Sequence, residues 1–277
     1  MSEARSQPAG PAMATYLYCI VQSAGPLTPP EGADAAPAGP PETGPPRLVA
    51  LGDELWLVVG DAALPAFSGE EIERRLADLA WVSACAVAHE RVVAHFAALA
   101  PVIPMKLFTL FASDERAVEA LSSQRERLAA VLAEVAGRAE WGVRIQFDGS
   151  RAKRVTAAPA VPAGSGEPVS GRSFLQRKKE AQEAARNLAG RAGAAVEESF
   201  VELSRHAAAA RRREPLAATV AEPGPRLLLD AAFLLPAAAP EDFERAVQAE
   251  AERLAAYACE VILTGPWPPY NFVEEVG

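Results

Sequence analysis

A chain of 277 residues is long enough for two ordinary domains, each with its own core. It is 50% hydrophobic with a mean hydropathy of +0.04, yet no run approaches the ~20 apolar residues of a membrane span, which argues against a membrane protein. A formal charge of −9 and a pI near 5.1 argue against broad affinity for nucleic acid or anionic lipid.

Residues 1–13 carry Ser, Pro, Gly and Ala without a period and read as a disordered tail, with Met13 as an alternative start. No basic-then-apolar leader pattern is present there. Cys19, Cys85 and Cys259 each sit in an apolar stretch, as reduced, buried thiols of a cytoplasmic protein do. Residues 16–21 are rich in strand formers and give a first strand. Residues 24–46 hold eight prolines, from Pro26 to Pro46, and no apolar period, so they are expected to form a flexible insert. Residues 48–51 and 55–59, separated by Gly52-Asp53-Glu54, read as a hairpin.

A first helix starts at Ser68, where Glu71 completes a capping box and Phe67 with Ile72 can form a hydrophobic staple. Ile72, Leu76 and Leu79 share one face, and the pattern runs to about Ala97 before Pro101 stops it. Residues 102–107 form the next strand, at an edge or bulge because of Pro104. Asp114 and Glu115 open a second helix at its positive end. Val118, Leu121, Leu128, Leu132 and Val135 stripe it, and Gly137 caps it. Residues 141–147 alternate and are expected to close this sheet. Interleaved strands and helices predict a mixed α/β (α+β) fold, its first domain (14–148) a sandwich related to the ferredoxin-like arrangement.

Residues 149–171 turn to Ala, Pro, Gly and Ser and read as the linker to a second domain, 172–277. Ser173 and Gln176 offer another capping box. A long helix is expected from there to about Arg213, kinked or broken at Gly190 and Gly193. Ala181, Ala185, Leu188, Ala192, Ala195, Leu203, Ala207 and Ala210 fall near a three-four spacing, the seam of a coiled-coil-like helix. A strong strand (227–235), a helix with Phe243, Val247 and Leu254 on one side, and a final strand then make a β-α-β unit against it.

No chemistry-bearing motif emerges. His89-Glu90-Arg91 begins like a zinc-protease helix, but position 93 is Val and His95 falls on another face. No Gly-rich phosphate loop, nucleophile elbow or spaced Cys pair is present, and no carboxylate stands alone in an apolar run as a tuned acid would. The expectation is no catalytic residue, no cofactor and no metal. Two partner-binding candidates stand out. Arg172, Arg177, Lys178 and Lys179 make the start of the long helix basic within an acidic protein, although a solvated helix face is the preferred explanation. Trp267, Tyr270 and Phe272 ride on the stiff segment around Pro266, Pro268 and Pro269, either as an exposed anchor or as part of the chain's own core.

The ending Thr264-Gly265-Pro266-Trp267-Pro268-Pro269-Tyr270 resembles the C-terminal signature of the GvpL/GvpF family of gas vesicle accessory proteins. Tyr16-Leu17-Tyr18-Cys19-Ile20-Val21, Val102-Ile103-Pro104-Met105-Lys106-Leu107-Phe108, Glu140-Trp141-Gly142-Val143-Arg144 and Ser170-Gly171-Arg172-Ser173-Phe174 are similar to that family as well. The likeness spans residues 14–273. Lys106 stands where the family usually has Arg, Phe174 where it commonly has Tyr, and Phe108 where it usually has Gly, which implies a different local backbone there. The resemblance implies an assembly or minor structural protein of gas vesicles, the gas-filled shells that give buoyancy. It also implies binding to the hydrophobic major shell protein and to other accessory proteins. Two rivals remain: a small-molecule-binding or enzymatic protein on a ferredoxin-like scaffold, and a coiled-coil adaptor unrelated to vesicles.

Overall fold

The computed structural model describes residues 12–27, 36–156, 171–214 and 225–273. The chain divides into two compact units: Met1–Gly137 with Trp267–Gly277, and Arg138–Pro266. The boundary therefore falls before the strand at 141–147 and not in the stretch 149–171, and the C-terminal tail belongs to the first unit.

The first unit is organised on β1 (Met13–Gln22), buried from Ala14 to Val21 because both faces are covered. It pairs antiparallel with β3 (Leu55–Ala63) on one side and with β4 (Val102–Pro104) and β5 (Leu110–Phe111) on the other. β2 (Arg47–Gly52) completes the order β2-β3-β1-β4. The β2–β3 hairpin turns on Asp53 and Glu54, both at positive φ (50° and 64°), the primed geometry that matches strand twist. Pro104 sits on an edge strand, as its missing N–H requires. A register shift between Leu17 and Cys19 alters the alternation of β1. Tyr16, Tyr18, Cys19 and Val21 join Phe67, Val92, Val93 and Phe96 in one cluster. The opposite face is met by α4 (Asp114–Ser122) and α5 (Arg125–Val135), where Leu128 and Leu132 are fully buried. Truncating either leucine to Ala costs about 2–5 kcal/mol on transfer and cavity grounds.

Three sequence expectations give way here. The helix from Ser68 is two helices, α2 (Gly69–Arg75) after the short α1 (Leu64–Phe67), then α3 (Leu79–Ala97). Ser68 caps α2, accepting from Glu71 N, but Asp78 adopts an extended backbone and caps α3 through Ala80 N and Trp81 N. Leu76 and Leu79 consequently leave the core face, 51% and 80% exposed. The second helix likewise divides into α4 and α5 at Ser123-Gln124, with Gly137 (φ 65°) closing α5. The described part of the insert, residues 36–46, is docked: Thr43 bridges Ala62, Gly44 N donates to Asp61 O at 2.7 Å, and Pro40 is buried. Residues 28–35 lie outside the description.

In the second unit β6 (Arg138–Phe147) does not close the first sheet. It pairs along its whole length with β8 (Arg226–Pro236), and the order is β7-β8-β6-β9, with β7 at Ala209–Arg212 and β9 at Cys259–Trp267. The physical reason is the inward row Trp141, Val143, Ile145 and Phe147, which continues the apolar row of Leu229, Ala231, Phe233 and Leu235. β8, α8 (Glu241–Ala255) and β9 form the expected β-α-β unit, split by β6 lying between its strands. Residues 149–156, expected as linker, form α6 (Gly149–Thr156), started by Asp148 accepting from Ser150 N and Arg151 N. Residues 157–170 are outside the description.

The long helix is α7 (Gly171–Ser204), 34 residues or about 50 Å. It ends nine residues earlier than expected, because Ala209–Arg212 pairs with β8. Its backbone runs through Gly190 and Gly193, and Ser173 lies inside it. Leu188, Ala192, Ala195, Val196 and Leu203 pack into the unit's own core, so the alanine seam permits close approach to sheet and α8. Arg253 on α8 donates to Ser199 Oγ, Ala195 O and Glu250 Oε2 at 2.7–2.9 Å, and Ser199 donates to Glu250 at 2.6 Å. Although burial pushes Glu250 the other way, these donors hold its carboxyl below the usual range.

Candidate functional site

The C-terminal aromatics separate into two environments. Tyr270–Phe272 form a short 3-10 turn in the first unit, with Phe272 and Val273 buried at 8% and 6% exposure. Tyr270 packs against the β1–α3 cluster, and its hydroxyl donates to Glu90 Oε2 on α3 at 2.5 Å. Burial raises the Glu90 carboxyl above the usual range, tempered by that bond, and burial together with Glu90 raises the Tyr270 phenol. Trp267, by contrast, is 45% exposed. Just before it, Gly265 takes φ 127°, and a Cβ there would lie 2.9 Å from Glu140 O, so no other residue fits without displacement.

Of the basic set, Lys179 is exposed on α7 and stands 4.0 Å from Glu183, a weak surface pair. Arg172, Arg177 and Lys178 lie on the same helix, with side chains outside the description. The basic and aromatic candidates belong to different units.

Behind Tyr270 the first unit holds a buried polar relay. Met105 O can only accept, so His89 Nε2 carries the proton (3.1 Å) and Nδ1 accepts from the Tyr16 hydroxyl (2.9 Å). Tyr16 in turn accepts from Phe108 N at 3.2 Å. Desolvation lowers the His89 pKa to about 4, so the ring is neutral and fastens α3 to β1 and to the loop after β4. Phe108 takes φ 64°, the left-handed conformation a glycine adopts freely. Its ring stacks on Trp81 at 5.3 Å and 7°, which offsets the steric cost.

A surface the sequence reading overlooked lies on α2 and α3. Leu79 (80%) and Val87 (48%) are exposed together with Ala80 and Ala84 at three-four spacing on α3, and Leu76 (51%) is exposed at the C-cap of α2. The ten residues from Leu79 to Ala88 carry no charge. That uncharged run was the available signal; it was read as core because Ile72, Leu76 and Leu79 fit one helical face only if the helix were continuous. Depressions of about 470 and 490 Å³ lie beside Glu202 and His206 in the second unit and beside Phe111 and Arg116 in the first. Among the described residues, no group of His, Cys, Asp or Glu has the arrangement of a metal site, and no helix is long and apolar enough to cross a membrane.

Comparison with known proteins accounts for nearly the whole chain. Gas vesicle protein L of Streptomyces sp. (strain CB03234) is 30% identical over 259 residues, 93% of this chain and 91% of that one. The crystal structure of the gas vesicle protein GvpF from Anabaena sp. PCC7120 superposes with a TM-score of 0.63 at 18% identity, covering 94% of this chain and 96% of that one. That of GvpF from Microcystis aeruginosa gives 0.60 at 14%, covering 94% and 98%. These two likenesses show the α+β fold. The profile described as gas vesicle synthesis protein GvpL/GvpF matches residues 14–274, and the chain belongs to that family.

Proposed function

We propose that this chain is a non-enzymatic assembly protein of gas vesicles that works in the cytoplasm and at the vesicle by covering the apolar surface of the major shell protein, in company with other accessory proteins. The observation that carries the reading is the uncharged, exposed stripe of Leu79, Ala80, Ala84 and Val87 on α3, with Leu76 also exposed at the end of α2, on an acidic protein. A stripe of that kind at a helix surface marks a protein contact. A shell subunit with a strongly apolar face needs such cover before it is incorporated, and a helix ridge offers it without any covalent step. Trp267, half exposed on the same unit, is a second contact candidate; the basic start of α7 is a third, for acidic accessory partners.

The test is co-expression with the major shell protein followed by pull-down, comparing the wild type with Leu79→Glu and Leu76→Glu. These side chains touch little of the core, so melting temperature stays within about 2 °C while capture of the shell protein falls. Failure of the wild-type chain to associate, or association undiminished in both variants, removes the reading.

A further inference from the structure

The two sheets present four outer edges, and three of them are blunted. β2 carries Arg47, ion-paired to Asp61 and Asp114, with α4 against it. β4 is three residues long and ends in Pro104. β7 is four residues long, and Arg212 is held there by Glu197. These are the devices by which proteins prevent strand addition: short edges, charge, proline and cover. β9 is the least protected of the four across Cys259–Thr264 among the described residues. It spans nine residues, holds one charged side chain (Glu260), and meets no proline before Pro266. It lies at the end of the order β7-β8-β6-β9, and no strand among the described residues pairs with its outer side.

We propose that the outer edge of β9 pairs antiparallel with β9 of a second copy of this chain about a two-fold axis at Ile262, joining two four-stranded sheets into one of eight. The side-chain order of the strand argues for a second copy. With the axis at Ile262, Glu260 faces Thr264, Val261 faces Leu263, and Ile262 faces its own counterpart. The pairing thus sets the Thr264 side chain, whose hydroxyl donates to Gly142 O within its own sheet, opposite Glu260 at two places, aligns apolar residues at the centre, and opposes no like charges. Val261 and Leu263 already pack on the second unit's core, so their partners across the axis would extend that core continuously. A heterologous strand would meet the same backbone, but nothing in β9 selects for one.

The full-length chain is examined by analytical ultracentrifugation from low micromolar to several hundred micromolar, with melting temperature as the control for folding. The wild type dimerises. Ile262→Lys, which sets two ammonium groups face to face at the axis, weakens the dimer at least about tenfold, whereas Thr264→Lys, which faces Glu260 twice, tightens it. Independently, Ile262→Cys yields an interchain disulfide under mild oxidation, because facing Cα atoms of an antiparallel pair fall within bridging distance; the wild type, with Cys19, Cys85 and Cys259 buried, is the blank. A wild type monomeric throughout the range, a dimer indifferent to Ile262→Lys, or no cross-link from Ile262→Cys overturns the proposal. A monomer whose Ile262→Lys variant loses vesicle assembly also overturns it and assigns the edge to a strand of another protein.

Discussion

Replacing Tyr270 with Phe isolates what one hydroxyl contributes to holding the C-terminal turn. The ring keeps its place against the β1–α3 cluster, and only the 2.5 Å bond to Glu90 is lost. Glu90 Oε1 is already buried with no partner among the described residues, so the variant leaves the whole carboxyl uncompensated. Stranding a buried acceptor costs about 1–3 kcal/mol, at the upper end when it is ionised. For a unit of this size, about 2 kcal/mol lowers the melting temperature by roughly 4–8 °C. The companion is Tyr270→Phe with Glu90→Leu, which removes both partners and should regain most of the loss. The pH dependence has a definite sign. Because burial raises the folded pKa of Glu90, its contribution is present below the ordinary carboxylate value and is lost as pH rises through the folded value. Glu90→Gln should therefore flatten that part of the profile. Calorimetry of the four proteins between pH 4 and 8 decides the matter. A Tyr270→Phe protein as stable as wild type at pH 8, or a double variant no better than the single one, refutes the reasoning.

Other outcomes follow from the same geometry. Trp267→Ala should lower the melting temperature by less than Phe272→Ala, which removes a buried ring worth about 3–5 kcal/mol; equal losses in thermal melts would contradict the separation of exposed and buried aromatics. The depressed pKa of His89 makes its stability contribution full above about 6.5 and lost as pH falls through about 4. Urea titrations at pH 7 and 4 should show the wild type losing on the order of 3 kcal/mol more than His89→Gln, whose amide can still accept from Tyr16 and donate to Met105. Phe108→Ala gives up the stack on Trp81 yet keeps φ 64°, whereas Phe108→Gly gives up the stack and relieves the backbone, so the glycine variant should be the more stable by about 1 kcal/mol. An alanine variant at least as stable in urea would show that the left-handed conformation is not strained.

How much of this was legible depended on the range of the interaction. Signals confined to a few residues were readable: Ser68 with Glu71 as a helix start, Gly52-Asp53-Glu54 as a hairpin turn, Pro104 on an edge, and Gly137 after a helix. Each is decided by local sterics or a bond three residues away. The misreadings arose where distant chain settles the outcome. Residues 141–147 have the alternation of any half-buried strand, and periodicity cannot say which sheet receives them; pairing with β8, some ninety positions on, does. The end of the long helix is set in the same way, since helical spacing continues past Ser204 while pairing with β8 takes Ala209–Arg212. Glu90 was weighed only within the zinc-protease-like His89-Glu90-Arg91, and the phenol that meets it is 180 positions away. Leu79 was misread for the converse reason: Asp78, a cap available in the sequence, restarts the helix and turns the leucine outward. In that case the decisive signal was local, and it was overridden by assuming that an apolar residue at the right spacing must be buried. An apolar residue immediately after a strong N-cap, in a run without charge, is better weighed as surface, because the first turn has no preceding turn to pack beneath.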